Sequence, residues 1–157
     1  VGIEACWMHQ EALAQAEIMD ARVVARLRSN QVFPPENLSA LLVARSRLQH
    51  LMRQELQGAL LLMPTTAIDA PPLARLEADR DYFDACNVKM LRNTMASSFL
   101  DMPSLTLPTG LNRNGLPAAL QLAAPSGCDE AVLAAGQAMA RLLTGDAALN
   151  ALRHPAH

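Results

Sequence analysis

The amino-acid sequence predicts a fold of the α/β or α+β class. Three observations lead to this prediction. Apolar residues recur at helical spacing in several long segments, short apolar runs bounded by Gly or Pro have the character of strands, and two of these runs flank an Asn-Gly turn. The expected order is helix, helix, strand, helix, hairpin, helix. So few strands make a small sheet for so many apolar helices, and we expect further strands to come from elsewhere.

The composition predicts a core built mainly from alanine, leucine, valine and methionine. The chain has 157 residues, of which 51% are hydrophobic but only 3% are aromatic. This length suits one domain or one piece of a larger domain. Charged residues make up 18%, below the usual quarter, which is a first indication of a fragment or of an oligomer.

Charge and motif content argue against several classes of function. The formal net charge is -2 and there is no basic stripe, so we predict no nucleic-acid partner. Cys6, Cys86 and Cys128 are too widely spaced for a disulfide framework or a zinc site, and no His pairs with Asp, Glu or Cys at ligand spacing. We therefore predict no metal, no cofactor, no membrane span and a cytoplasmic location. Because the start lacks both a Met and a signal-peptide pattern, we expect processing or a beginning within a longer protein.

Two helical segments are expected in the first third of the chain. Residues 4–29 carry an apolar stripe, which Asp20 divides if it caps a second short helix. Residues 30–35 contain two prolines and are expected to break the helix. A strong amphipathic helix follows from residue 37, and Gly58 is its stop signal.

The middle of the chain is expected to alternate between strand, loop and helix. Residues 59–63 form a short apolar run that ends in proline, which is typical of a buried strand. The proline-rich stretch 67–76 is expected to be a loop. Residues 81–99 have a helical pattern, with a predicted break near Asn93-Thr94.

A hairpin and a helix are expected near the end. Residues 104–107 and 116–122 are strand-like and lie on either side of Asn-Gly, so we predict a hairpin with an extended loop. A helix opening with Asp129-Glu130 should follow, since acidic residues suit a helix N-terminus, and Gly145 should end it. Residues 146–157 are expected to be a loose tail.

Several of these segments together resemble a known enzyme family. The first is residues 58–66 (GALLLMPTT), followed by Arg92-Asn93-Thr94, then 99–110 (FLDMPSLTLPTG) and 115–122 (GLPAALQL), and last the helix opening with Asp129-Glu130. In this order and spacing they resemble the C-terminal third of amidase-signature hydrolases. That family includes general amidases, allophanate hydrolase and the A subunit of the tRNA-dependent amidotransferase.

The resemblance implies a division of the chain and a fold. It covers roughly residues 37–143. We therefore expect N-terminal helices over 1–36, an amidase-like C-terminal region over 37–145 and the tail over 146–157. The implied fold is α/β: the C-terminal portion of the amidase-signature fold, a mixed sheet flanked by helices, to which this chain contributes few strands. Ser98 departs from the Asn that many relatives carry there, which leaves the subfamily open.

The family's catalytic residues are not expected in this chain. The resemblance implies a nucleophilic Ser on a Gly/Ser-rich segment, helped by a second Ser and a Lys, and this segment lies upstream of the region resembled here. Ser97-Ser98 is the nearest substitute, but it lacks glycine and lies in an apolar helical context. Lys89 is the only lysine, and nothing in the sequence shows that it reaches a Ser or has a depressed pKa. We therefore assign no catalytic residue to this chain.

Two short sets of polar residues are the candidates for substrate binding. The resemblance implies that this region supplies a wall of the substrate pocket, and Arg92, Asn93 and Thr94 form the polar cluster that we place nearest to it. An Arg can hold a carboxylate through two parallel hydrogen bonds, and an Asn can orient an amide. Thr65 and Thr66 end an apolar strand, where the loops of open α/β sheets often meet ligands.

Three functions fit these patterns. The first is part of an amidase that hydrolyses a small non-peptide amide through an acyl-enzyme, with a small-molecule amide as substrate. The second is a non-catalytic, truncated paralogue that acts as an oligomer or a binding module. The third is an amidotransferase component of the A-subunit type, which would need partner subunits and a glutamine pocket.

The incomplete sheet predicts how the isolated chain behaves. A chain that lacks part of its sheet exposes apolar faces and unpaired strand edges, so we expect the 157-residue chain to self-associate in solution. Light scattering combined with thermal melting measures this directly. A monomer that melts cooperatively would contradict the expectation.

Overall fold

The computed structural model describes residues 2–29 and 35–143, which form helices and one three-stranded sheet. The elements are α1 (Gly2–Met8), α2 (Gln10–Leu13), a 3-10 helix (Ala16–Ile18), α3 (Ala21–Ser29), α4 (Pro35–Leu56), β1 (Leu61–Pro64), α5 (Leu73–Ala78), α6 (Arg80–Phe99), β2 (Ser104–Leu111), β3 (Pro117–Ala123) and α7 (Asp129–Leu143). The α/β prediction is confirmed. Among these helices, none is both long and apolar enough to cross a membrane.

The chain divides into two compact units, residues 1–48 and 49–157. The predicted breaker falls mostly in 30–34, outside the described residues, as do Gly145 and the predicted tail over 146–157. In the first unit the predicted helical stretch is split more finely than expected, into three short helices and a 3-10 helix.

Asp20 directly precedes α3, at the cap position that the sequence predicts. Its carboxylate accepts a hydrogen bond from the backbone N–H of Arg22 at 2.7 Å, the bond that an N-cap residue makes, and it also pairs with the Arg22 guanidinium at 2.7 Å. These hydrogen bonds hold the pKa of the Asp20 carboxyl well below its usual range. The buried apolar residues of this unit are Cys6, Val24 and Leu27.

The sheet of the second unit has the order β1-β3-β2, and both pairings are antiparallel. Leu122 of β3 lies opposite Leu62 on one side and Leu105 on the other. The predicted hairpin is confirmed as β2–β3 with an extended loop. Asn112 fixes that loop, because its side-chain oxygen accepts hydrogen bonds from the backbone N–H groups of Asn114 and Leu116 at 2.9 and 3.0 Å.

Helix α7 covers one face of the sheet. Leu107, Leu122, Ala124 and Val132 form the buried cluster between them. The helix lies so close to β2 that a Cβ added to Gly136 would collide with the side chain of Leu105. Acidic residues in the first turn of α7 match the prediction for its start.

Two local predictions in this unit were wrong. The predicted break near Asn93-Thr94 does not occur, because α6 continues to Phe99 and the Thr94 hydroxyl donates to the carbonyl of Leu91 at 3.1 Å, which satisfies it within the helix. The predicted loop over 67–76 ends early, since α5 begins directly after the proline pair. Its sequence, LARLEA, consists of strong helix formers.

Candidate functional site

Helix α6 and the end of β1 are joined by a hydrogen bond between side chain and backbone. The Nδ2 of Asn93 donates to the carbonyl oxygen of Pro64 at 2.7 Å, although the two residues are 29 positions apart. Pro64 is the last residue of β1, and Thr65 follows it directly. The structure therefore bonds Asn93, from one predicted group, to the residue that directly precedes Thr65, from the other.

Thr65 extends this polar cluster across the sheet. Its backbone N–H donates to the carbonyl of Ala119 at 3.0 Å, and its hydroxyl donates to the hydroxyl of Thr106 at 3.5 Å. Thr106 is a site residue that the sequence reasoning missed. The available signal was the alternation in SLTL, which puts Thr106 on the face opposite Leu105 and Leu107.

The other predicted residues do not join this cluster through side-chain contacts. The Thr66 hydroxyl donates locally to the carbonyl of Ile68 at 3.0 Å, and Thr94 bonds within α6. Arg92 is exposed on the same helix, one residue before Asn93. Asn93, Thr65 and Thr106 thus form the core of the candidate site.

The possible substitutes for catalytic residues are far apart. Lys89 and Ser97 both lie on the continuous helix α6 and are separated by eight residues. At 1.5 Å of rise per residue their Cα atoms are about 12 Å apart along the helix axis, more than the lysine and serine side chains span together. Lys89 is exposed, whereas Ser97 is buried. The two residues do not form a Ser–Lys pair.

Ser97 instead pairs with a glutamine that the sequence reasoning did not single out. The Nε2 of Gln121 donates to the Ser97 hydroxyl at 2.9 Å, and the two residues are 2% and 3% exposed. The only signal was a Gln within the apolar strand sequence ALQLA. Gln121 lies opposite Thr106 in the β2–β3 register, so it shares a face of the sheet with that residue.

A separate cleft of about 330 Å³ lies between the end of α6 and the start of α7. Within it the Ser126 hydroxyl donates to the carboxylate of Asp101 at 3.2 Å. None of the five predicted site residues lines this cleft. Its lining residues are Ser98, Asp101, Met102, Pro103, Ser126, Gly127 and Asp129. Over the part of the chain that the structure describes, no three His, Cys, Asp or Glu residues are grouped as metal ligands would be.

The hydrogen bond from Asn93 to Pro64 has a measurable consequence. An aspartate in place of Asn93 has no N–H to donate, and its carboxylate would repel the Pro64 carbonyl, so Asn93→Asp should lower the free energy of unfolding by about 1–2 kcal/mol. Asn87→Asp is the matched control, since it makes the same change on the same helix and should cost less than about 0.5 kcal/mol. Urea denaturation of the 157-residue chain compares the two variants. An equal loss of unfolding free energy in the two variants would show that the bond from Asn93 to Pro64 does not stabilise the fold.

Comparison with known proteins identifies relatives of this region. A 2-amino-5-chloromuconic acid deaminase from Comamonas testosteroni is 40% identical over 65 residues, which are 41% of this chain and 14% of that protein. The crystal structure of an amidase superposes with a TM-score of 0.68 at 27% identity, over 90% of this chain and 33% of that structure. The chain thus spans about a third of the length of its solved relative, and a smaller share of the curated one.

The family is established by a match along most of the chain. The Amidase family model matches residues 7–133, which include α6, all three strands and the polar cluster between them. The solved amidase superposes on nearly the whole chain, in agreement with this match. The chain therefore belongs to the amidase family.

Proposed function

We propose that this chain is the C-terminal part of an amidase that hydrolyses the C–N bond of a small non-peptide amide. The observation that carries the proposal is the contact between Asn93 and Pro64, which gathers polar side chains at the end of a strand in a chain of the amidase family. The 27% identical solved amidase and the 40% identical deaminase support chemistry at a C–N bond.

The polar cluster is suited to hold an amide. One N–H of the Asn93 side chain is engaged by Pro64, which fixes the orientation of the amide group and leaves its second N–H and its oxygen to meet a substrate. Thr106 lies within 3.5 Å of the Thr65 hydroxyl, and its own hydroxyl can both donate and accept a hydrogen bond. Arg92, exposed beside Asn93, would hold a carboxylate on the substrate. Thr66 and Thr94 contribute indirectly, because their hydroxyls bond to the backbone carbonyls of Ile68 and Leu91 and hold the local chain beside the cluster.

The nucleophile in this proposal comes from sequence upstream of residue 1. The 157 residues contain no Gly/Ser-rich segment, and Lys89 and Ser97 are kept apart by α6. In the proposed reaction an upstream Ser attacks the amide carbon and its proton passes through a second Ser to a Lys. The amine then leaves and water hydrolyses the acyl-enzyme. The residues of this chain bind and orient the substrate.

A binding role is the second candidate, and the surface of α4 favours it. Large apolar side chains are exposed along this helix at Leu41, Leu42, Val43, Leu48 and Leu51. Such a surface is typical of a helix that another protein surface covers. On this proposal the chain self-associates or packs against the sequence that precedes it.

Ammonia release distinguishes the two candidates. The long protein is the product of the longest open reading frame that contains this chain. We expect it to release ammonia from a panel of aliphatic and aromatic primary amides, whereas residues 1–157 alone should release none above buffer. Ammonia is the product to follow because hydrolysis of a primary amide always yields it. Asn93→Asp in the long protein should raise KM or lower kcat by about tenfold, the effect of one lost polar substrate contact.

Two outcomes would contradict the amidase proposal. A long protein that folds but releases no ammonia from any amide would favour the binding role. Steady release by residues 1–157, retained on repurification and lost in Ser98→Ala or Lys89→Met, would show that the catalytic groups lie within this chain.

A further inference from the structure

The Gln121–Ser97 pair is unusual for a stabilising contact. Both side chains are almost completely buried, and the Nε2 of Gln121 donates to Ser97 at 2.9 Å. The other polar atom of the glutamine, Oε1, is also buried, and no donor among the described residues reaches it. The modest net gain from one neutral hydrogen bond is matched or exceeded by the cost of a buried acceptor without a donor. Stability alone therefore does not account for a glutamine at this position.

The position of the pair indicates a different role. Ser97 lies four residues after Asn93, so both side chains are on the same face of α6, one helical turn apart. Asn93 reaches Pro64 at the end of β1, and Ser97 reaches Gln121 on β3. Leu120, next to Gln121, is the register partner of Pro64. Two hydrogen bonds at successive turns thus tie the helix to adjacent positions on neighbouring strands.

Ser97 also fixes the chain that leaves the helix. Its backbone carbonyl accepts a hydrogen bond from the N–H of Met102 at 3.0 Å, just before β2 begins. Met102 is itself buried. The residue that Gln121 holds is therefore attached both to the helix and to the connection that leads into β2.

We propose that Gln121 is a positioning residue, which acts through Ser97 to set where α6 lies along the sheet and thereby aligns the Asn93 side chain with the carbonyl of Pro64. A slide of α6 by one residue would move Asn93 by about 1.5 Å and turn it by about 100°, enough to break a 2.7 Å bond. The consequence for an amide substrate rests on the proposed function, but the alignment itself does not.

The test uses the 157-residue chain with 15N-labelled asparagine and needs no substrate. Gln121→Met keeps the side-chain length and removes both polar atoms, while Ser97→Ala removes only the hydroxyl. The side-chain amide signal of Asn93 reports its hydrogen bond to Pro64. We expect both variants to shift this signal toward that of a free asparagine and to speed its exchange with water by about tenfold, as expected when a protecting hydrogen bond opens. Asn87, on the same helix, is the internal control and should not change.

Two further measurements separate positioning from stabilisation. Because Gln121→Met also removes the buried Oε1, its melting temperature should stay within about 3 °C of the parent chain. Ser97→Thr keeps a hydroxyl at this position and should restore the Asn93 signal. An unchanged Asn93 signal in both Gln121→Met and Ser97→Ala would overturn the proposal, whether or not the melting temperature falls. Absence of amidase activity in the long protein would bear on the proposed function and would leave this result intact.

Discussion

Strand β3 is hydrogen-bonded along both edges, and this pairing fixes the arrangement of the second unit. Its residues alternate between two partners: Leu122 joins the apolar cluster under α7, together with Ala124 just after the strand, whereas Gln121 lies on the opposite face and meets Ser97 of α6. Because side chains alternate with a period of two, a slip of one residue would put Gln121 against α7 and Leu122 against Ser97. The apolar cluster and the buried polar pair thus specify the same register.

The candidate site follows from that register. Pro64 ends β1 opposite Leu120, and Thr106 lies opposite Gln121, so the strands deliver a carbonyl and two threonine hydroxyls to one region of the sheet. Helix α6 adds Asn93 because it crosses the strands without a break. In the proposed function these groups would form hydrogen bonds with an amide, and Lys89 and Ser97, which lie apart on α6, would not act as a catalytic pair.

Local sequence patterns predicted the helices and strands well, but they did not predict the contacts between them. The apolar run ending in Pro64 and the Asn-Gly turn indicated β1 and the β2–β3 hairpin, because strand and turn signals lie in adjacent residues. Asn93 and Thr65 were chosen for their residue types and for the family resemblance, and Asn93 bonds to Pro64, the residue before Thr65. Thr106 and Gln121 were missed, since Thr106 matters only through its contact with Thr65 after β1, and Gln121 only through its contact with Ser97 of α6. The predicted break in α6 was wrong for a local reason: the Thr94 hydroxyl bonds to the Leu91 carbonyl of its own helix and does not interrupt it.

In the proposed enzyme this chain shapes the substrate wall, and the nucleophile lies outside its 157 residues. Labelling of the protein encoded by the longest open reading frame with a serine-directed fluorophosphonate, followed by peptide mass spectrometry, tests this claim most directly. We predict a single modified serine upstream of residue 1 and none within the chain. Specific modification of Ser97 or Ser98, blocked by prior incubation with an amide substrate, would contradict it.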